Sequence, residues 1–293
     1  MIIYTDLFSR TKNYSLTKEI ISLIEEKFEV TITPKIDPKA QIYWGDKFNM
    51  DLFSQMPYLK WIHLSKTGYG KFTFPTGVIV TNTPKSSEGV AEYALAGVLY
   101  LLRGLDRMTH DRKSFDINIE HIIPFNNVKC LIVGHGNIGK ELNKKLTSLG
   151  MKVHFVTKEK NITTDFDLNS YNFIINSLPL NEKTLNYFNK NIFNKTSNAY
   201  FINVGRGETV NEQDLYFALK NNIIRGAFLD VVQEEPLKLD NPLLELDNVF
   251  ISPHIANASK YSLDTQVKEF IFNLINYKNN KPLTNIVYDS SNS

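Results

Sequence analysis

The stretch Val128-Lys-Cys-Leu-Ile-Val-Gly134-His-Gly136-Asn-Ile-Gly139 decides the fold. It sets three glycines directly behind an apolar run that reads as a buried strand, and ahead of a helical pattern with Ile138, Leu142, Leu146 and Leu149 on one face. Each glycine has a job in that setting: a tight turn at Gly134, close backbone approach to a pyrophosphate at Gly136, and close packing of helix on strand at Gly139. The first helical turn, with Asn137 and Ile138, offers free N–H groups and a partial positive charge to phosphate oxygens. Glycines cluster in many turns, so the flanks carry the reading. Gly150 suits a helix stop and Val153 to Val156 forms a second strand, which completes a βαβ unit and predicts a dinucleotide seat.

The end of that second strand is where such a fold usually presents Asp or Glu to both ribose hydroxyls. Thr157 and Lys158 stand there instead, one able to donate a hydrogen bond to a 2′-phosphate and the other to pair with its charge, so the expected cofactor is NADP before NAD. Glu159 lies two residues on and reaches the ribose if the turn is longer. His135, between the glycines, reads as an exposed loop residue.

Working outward, the same rhythm of strand and helix runs in both directions. Upstream come Met1 to Tyr4, a helical pattern at Leu16, Ile20, Leu23 and Ile24, then Val30 to Thr33, Gln41 to Trp44, a helix near Met50 to Gln55, Trp61 to Leu64, and Val78 to Thr81. Glu88 to Leu105 reads as one long helix, with Val90, Ala94, Leu95, Val98, Leu102 and Leu105 at spacings of three and four. Downstream strands at Phe173 to Asn176, Tyr200 to Asn203, Gly226 to Leu229 and Val249 to Ser252 are apolar on both faces, which predicts a parallel sheet covered by helices on both sides. The fold class expected is α/β with two lobes: a Rossmann-type doubly wound sheet over about residues 87–257, and a smaller flavodoxin-like substrate-binding lobe over about 1–86 plus 258–293. A final helix from Lys260 to Tyr277 returns to the first lobe.

The formal net charge of +2 and the scatter of lysines among acidic residues exclude the basic stripe that a nucleic acid partner needs. With Cys130 as the only cysteine, no intramolecular disulfide can form. No signal-peptide pattern or apolar run of about 18 residues is present, so we expect a cytoplasmic protein that neither enters nor spans a membrane.

Three segments in the second half combine special residues behind strands: Asn203-Val-Gly-Arg206-Gly207, Leu229-Asp230 through Glu235-Pro236, and Ser252-Pro-His254-Ile-Ala-Asn257. In a doubly wound sheet all three converge on the carboxyl edge. Histidine titrates near neutrality and serves as acid in one direction and base in the other, a nearby carboxylate favours its imidazolium and fixes its ring, and an arginine fork holds a carboxylate through two parallel hydrogen bonds. Taken singly, Arg206 is also what a solvated turn contains, Glu235 an ordinary loop charge and His254 a satisfied strand-end group.

These segments, with Thr81-Asn-Thr-Pro84, Val90-Ala-Glu-Tyr93, the Gly134 to Gly139 motif, Leu178-Pro-Leu180 and Thr184, occur in an order that resembles the D-isomer-specific 2-hydroxyacid dehydrogenase family along nearly the whole chain. The resemblance implies that Arg206 binds the substrate carboxylate and polarises its carbonyl, that His254 is acid and base, and that Glu235 pairs with it. It implies cofactor contacts from Gly134, Gly136, Asn137, Ile138, Gly139, Thr157, Lys158, Leu178, Pro179, Thr184, Val204, Asp230 and Ala256, with Asp230 accepting a hydrogen bond from the carboxamide. Lys66, Thr67 and Gly68 resemble the family loop whose backbone N–H groups hold the substrate carboxylate. The expected reaction is hydride transfer between NAD(P) and a small 2-oxo or D-2-hydroxy acid, in a homodimer without a metal, with glyoxylate and hydroxypyruvate the first substrates to try. A formate dehydrogenase would show glutamine at position 235, and a phosphoglycerate dehydrogenase with a regulatory module would need chain beyond residue 293. From another class, transcriptional corepressors use the same fold as a cofactor-sensing binding platform.

Overall fold

Strands such as Ile42–Gly45, Phe173–Asn176 and Tyr200–Asn203 bury every side chain, so a sheet built from them must be covered on both sides. The computed structural model, which describes residues 1–7, 16–46, 49–65, 73–83, 87–105 and 122–289, contains two such sheets. The chain divides into two compact units, Met1–Ser86 with Ala258–Ser293, and Ser87–Asn257.

In the first unit β1 (Ile2–Thr5), β2 (Thr31–Thr33), β3 (Ile42–Gly45), β4 (Trp61–Leu64) and β5 (Ile79–Asn82) pair in parallel in the order β2-β1-β3-β4-β5, the flavodoxin-like arrangement. The last strand, β12 (Ile286–Asp289), adds to β5 antiparallel, an element the sequence did not lead us to expect. Helix α1 (Lys18–Phe28) starts behind Thr17, whose hydroxyl accepts the Ile20 N–H, and α2 (Met50–Ser54) starts behind Asn49 in the same way. Alternate strand residues pack two separate cores, one around Ile3, Trp44, Trp61 and Phe270 and one around Tyr4, Tyr43, Ile62 and Val80. Phe270 comes from the long helix Lys260–Lys278, and its ring lies flat on Trp44 with centroids 3.8 Å apart.

The second unit opens with α3 (Ser87–Leu102) and continues through β6 (Lys129–Val133), α4 (Asn137–Ser148), β7 (Lys152–Val156), β8 (Phe173–Asn176), α5 (Lys190–Phe193), β9 (Tyr200–Asn203), α6 (Glu212–Lys220), β10 (Gly226–Leu229) and β11 (Val249–Ile251). Its six strands are parallel in the order β7-β6-β8-β9-β10-β11. After β7 is laid on one side of β6, the chain crosses to the other side for β8, so the switch point of this Rossmann-type sheet falls between the carboxyl ends of β6 and β8. The sequence extends α3 to Leu105. The helix ends at Leu102 because the chain turns at Gly104, whose N–H donates to Leu101 O and whose φ of +66° leaves the helical region. Cys130 lies fully buried in β6, and burial pushes its thiol up to about 12, which makes it an inert core residue.

Among the described residues of the first unit, His63 is a buried group whose protonation differs between the folded and the unfolded chain. His63 on β4 is 0% exposed, its Nδ1 lies 2.8 Å from the Thr81 hydroxyl and its Nε2 3.4 Å from the Thr83 hydroxyl. Thr83 Oγ1 gives its hydrogen to Leu64 O at 3.2 Å and so receives the Nε2–H, which leaves Nδ1 to accept the hydrogen of Thr81, whose oxygen also accepts from Trp61 Nε1. Burial pushes the imidazole down to about 3, so the folded chain keeps it neutral while the unfolded chain protonates it near pH 6.5. The associated stability is complete above the unfolded pKa and is lost as pH falls below it towards the folded value. Urea unfolding at pH 7.0 and 5.5 is expected to show wild type losing about 1 kcal/mol more than His63→Asn. Equal losses would assign the acid sensitivity to other groups.

Candidate active site

The register of the second sheet lines up one row of residues across all six strands: Val156, Val133, Asn176, Asn203, Leu229 and Ile251. Every segment singled out from the glycine motif onward leaves the sheet behind this row. Thr157 follows β7, Gly134 follows β6, Leu178 and Pro179 follow β8, Arg206 follows β9, Asp230 and Glu235 follow β10, and His254 follows β11.

At the switch point Gly134 has φ +114°, and a Cβ there would stand 2.7 Å from Ser177 Oγ, so only glycine makes this turn. The Ser177 hydroxyl in turn reaches the Val133 and Gly134 carbonyls at 3.2 and 3.1 Å and pins the loop from the β8 side. A Cβ at Gly139 would collide with Gly134 O, which fixes α4 against the loop. At Gly136, by contrast, a Cβ would meet nothing within 4 Å. No protein atom demands glycine there, no side chain caps α4, and Asn137 and its N–H lie open at the helix start, with Ile138 half-buried behind. The residues present thus fit a dinucleotide: an open cradle, uncapped N–H donors and the positive end of a helix. Thr184 holds the facing segment, donating to Pro179 O at 2.6 Å and accepting the Asn181 N–H at 2.8 Å.

At the ribose end Thr157 is half-buried and Lys158 exposed. The Thr157 hydroxyl, more than the Glu159 N–H, Lys158 or His135, holds the Glu159 carboxyl below the usual carboxylate range. His135 itself stands edge-on against Phe155, with centroids 4.6 Å apart.

Between Val204 and Gly207 the Arg206 side chain is half-buried and its Nη1 donates to Gly205 O at 2.7 Å. Asp230, 2% exposed, is the anchor of the last segment. Its Oδ1 accepts from the Ser252 hydroxyl and the Ile255 N–H, both at 2.8 Å, its Oδ2 accepts the Ala256 N–H at 2.9 Å, and its carbonyl accepts the His254 N–H at 3.0 Å. This clamp holds His254 at φ +54°, a left-handed conformation that costs a residue with a Cβ roughly 1 to 2 kcal/mol. The carboxylate expected to meet a carboxamide thus has a duty within the chain, and the Ala256 N–H is engaged by it. From this strained position His254 sets Nδ1 2.7 Å from Glu235 Oε2, while Glu235 Oε1 accepts the Val232 N–H at 3.3 Å. Burial pushes the Glu235 carboxyl up, but the hydrogen bond and charge of His254, the Val232 N–H and the Arg206 guanidinium outweigh it, so the group sits below the usual carboxylate range.

The structure therefore brings Arg206, Glu235 and His254 together on one edge of the sheet. Lys66, Thr67 and Gly68 lie outside the described residues. Asn176, Ser177 and Thr209 enter the site although the sequence did not single them out. Their only signal was polarity at the end of an apolar strand or behind a glycine. Among the described residues no group of three or more His, Cys, Asp or Glu is placed to hold a metal ion, and no helix is long and apolar enough to cross a membrane.

A Rossmann-type sheet with an open glycine turn at a helix start and a hydrogen-bonded His–Glu pair along the same edge is the framework of a nicotinamide-dependent oxidoreductase. The chain belongs to the D-isomer specific 2-hydroxyacid dehydrogenase family, whose NAD binding domain matches residues 95–256. It is 29% identical to a glyoxylate/hydroxypyruvate reductase B of Klebsiella pneumoniae subsp. pneumoniae over 93% of this chain and 96% of that one, and 27% identical to a glyoxylate reductase of Korarchaeum cryptofilum over 93% and 94%. Among solved structures, a D-isomer specific 2-hydroxyacid dehydrogenase family protein of Klebsiella pneumoniae 342 superposes with a TM-score of 0.85 at 25% identity, covering 98% of this chain and 97% of that one. A D-lactate dehydrogenase of Aquifex aeolicus, solved with NAD and lactic acid, shares the fold with a TM-score of 0.79 at 24% identity, over 98% and 99%.

The Asp230 clamp makes a testable claim on its own. Asp230→Asn presents an amide N–H₂ to at least one donor that the carboxylate now receives, so chemical unfolding should show a loss of about 1.5 to 3 kcal/mol. Turnover should fall as the His254 segment relaxes. A variant as stable and as active as wild type would remove the clamp from the account.

Proposed function

We propose that this chain reduces small 2-oxo acids to D-2-hydroxy acids and runs the reverse, with the second unit as the dinucleotide-binding domain and the first as the substrate-binding domain. The observation that carries the reading is the 2.7 Å pair of His254 and Glu235, with the Arg206 charge acting on the same carboxyl. Bound nicotinamide supplies or takes the hydride. The chain's own residues must then hold a carboxylate and move one proton. Arg206 spends one N–H on Gly205 O and keeps four donors, enough for a two-pronged grip on a substrate carboxylate. With Nδ1 of His254 engaged by Glu235, Nε2 is the nitrogen left for the substrate oxygen. The imidazolium donates its Nε2 proton to the developing alkoxide in reduction, and neutral imidazole takes it back in oxidation. Glu235, kept ionised, favours the imidazolium and fixes the ring. Family resemblance adds Lys66, Thr67 and Gly68 as further candidates for holding the substrate carboxylate.

The names of the relatives support glyoxylate and hydroxypyruvate as first substrates. A binding platform of the corepressor type is favoured by no observation. Family resemblance further supports a cytoplasmic homodimer, which sedimentation would reveal as twice the mass of the chain. Purified protein is expected to oxidise reduced nicotinamide with one or both acids, and His254→Ala should lower turnover by about two to four orders of magnitude with cofactor affinity little changed. Near-normal turnover in the variant would remove His254 from the reaction.

Cofactor choice turns on the ribose end. Thr157 and Lys158 taken alone favour NADP, but the Glu159 carboxyl two residues on, held below the usual carboxylate range with the Thr157 hydroxyl as the largest cause, sets a negative charge against a 2′-phosphate. Our reading is therefore NADH before NADPH. Glu159→Gln should move the ratio of catalytic efficiencies towards NADPH by about tenfold. A ratio unchanged by the substitution would return the choice to Thr157 and Lys158.

A further inference from the structure

Two strands of the second unit end in the same residue at the same level: Asn176 closes β8, Asn203 closes β9, and the two are register partners. Asn176 is 0% exposed, so its amide must find partners inside the protein for two donors and an oxygen. Its Nδ2 donates to Asn203 Oδ1 at 2.9 Å and to Thr209 Oγ1 at 2.7 Å, and its Oδ1 accepts the Leu178 N–H at 3.0 Å. The neighbours fix that orientation, because Asn203 Oδ1 also accepts the Gly205 N–H at 3.1 Å and so faces donors only. Thr209 is buried as well; having accepted from Asn176, its hydroxyl passes its own hydrogen to Arg206 O at 2.6 Å, and Asn203 Nδ2 reaches the same carbonyl at 3.4 Å. The hydrogen bonds therefore run one way, from the Asn176 amide through Thr209 to the Arg206 backbone, while the amide oxygen holds the segment at Leu178.

We propose that Asn176 and Thr209 are positioning residues that tie the nucleotide-facing segment at Leu178 to the backbone of Arg206 and thereby aim its guanidinium. The proposal rests on Arg206 as the carboxylate clamp and names what holds that clamp. A guanidinium grips a carboxylate through two parallel bonds only over a narrow range of angles. Arg206 has its Nη1 bound to Gly205 O, so the direction of the fork follows its own loop backbone, and that backbone is held by Thr209 and Asn203. The arrangement has two arms: loss of the Thr209 hydroxyl removes the shortest hold on Arg206 O and leaves the Thr209 N–H at 3.2 Å and the Asn203 amide at 3.4 Å, so it loosens the arginine side alone, and loss of the Asn176 amide loosens both sides.

Thr209→Val keeps the shape and removes the hydroxyl; Thr209→Ser keeps the hydroxyl. Three quantities are to be measured: the NADH dissociation constant by fluorescence titration without substrate, KM and kcat with glyoxylate, and amide hydrogen exchange of residues 204–209 in the ligand-free protein. Thr209→Val is expected to raise KM by about tenfold and lower kcat, to leave NADH affinity within about twofold, and to speed exchange, with Thr209→Ser close to wild type. Asn176→Ala should weaken NADH binding as well as substrate binding. A Thr209→Val protein with wild-type KM and exchange overturns the proposal, and so does a Thr209→Ser protein as impaired as Thr209→Val, which would assign the loss to packing. Should the wild-type protein bind NADH but reduce no 2-oxo acid, the proposed reaction fails, and exchange in the ligand-free variants alone decides the tie: unchanged rates overturn it, faster rates support it.

Discussion

Parallel pairing in one register is the constraint on which everything else depends. Because Val156, Val133, Asn176, Asn203, Leu229 and Ile251 form a single row, six loops leave the sheet at one level and on one edge. A slip of one residue in any strand would turn its side chains to the other face and lift its loop out of line. The two apolar cores of this unit enforce the register, since alternate residues such as Cys130, Ile132 and Leu131, Val133 belong to opposite faces and both are fully buried.

The edge of a parallel sheet is also where backbone groups lose their ladder partners, and here buried side chains take their place. Ser177 serves the glycine loop, Asn176 and Asn203 serve the β8 and β9 ends, and Asp230 serves the turn that carries His254. The left-handed backbone at His254 persists because the Asp230 carboxylate and carbonyl over-determine that turn, the usual condition for strain at a functional position.

How far the sequence revealed this depends on the kind of signal. Strand and helix rhythm, the glycine turn and the convergence of three segments were legible because hydrophobic period and the behaviour of Gly134 are local properties. The strand Ile286–Asp289 was not, because it is short, lies in a polar neighbourhood and gains its identity only from β5, some two hundred residues away. Asn176 and Thr209 looked like ordinary strand-end and loop residues; their role comes from partners 27 and 33 positions distant, which no spacing encodes. At the ribose end the sequence offered Thr157, Lys158 and Glu159 together, but which of them faces a ligand depends on side-chain directions at a turn, where period gives no guide. The roles of Lys66, Thr67 and Gly68 rest on resemblance alone.

Arg206 and Glu235 come from different loops, so the chemistry needs a reason for the two loops to keep their spacing. Gly207 supplies it: a Cβ at that position would collide with Val232 O, so the backbone behind Arg206 lies directly on the backbone ahead of Glu235. The Val232 N–H, at the same residue, is the donor that Glu235 Oε1 accepts. One backbone contact thus fixes the Arg206 loop against the carboxylate that holds His254, while the turn bearing His254 is held from the other side by Asp230, two residues before Val232 on the same segment. The stretch from Asp230 to Glu235 is therefore the common reference for all three groups, and a bulkier residue at 207 would disturb the chemistry by moving Arg206 relative to that reference without touching any reacting atom.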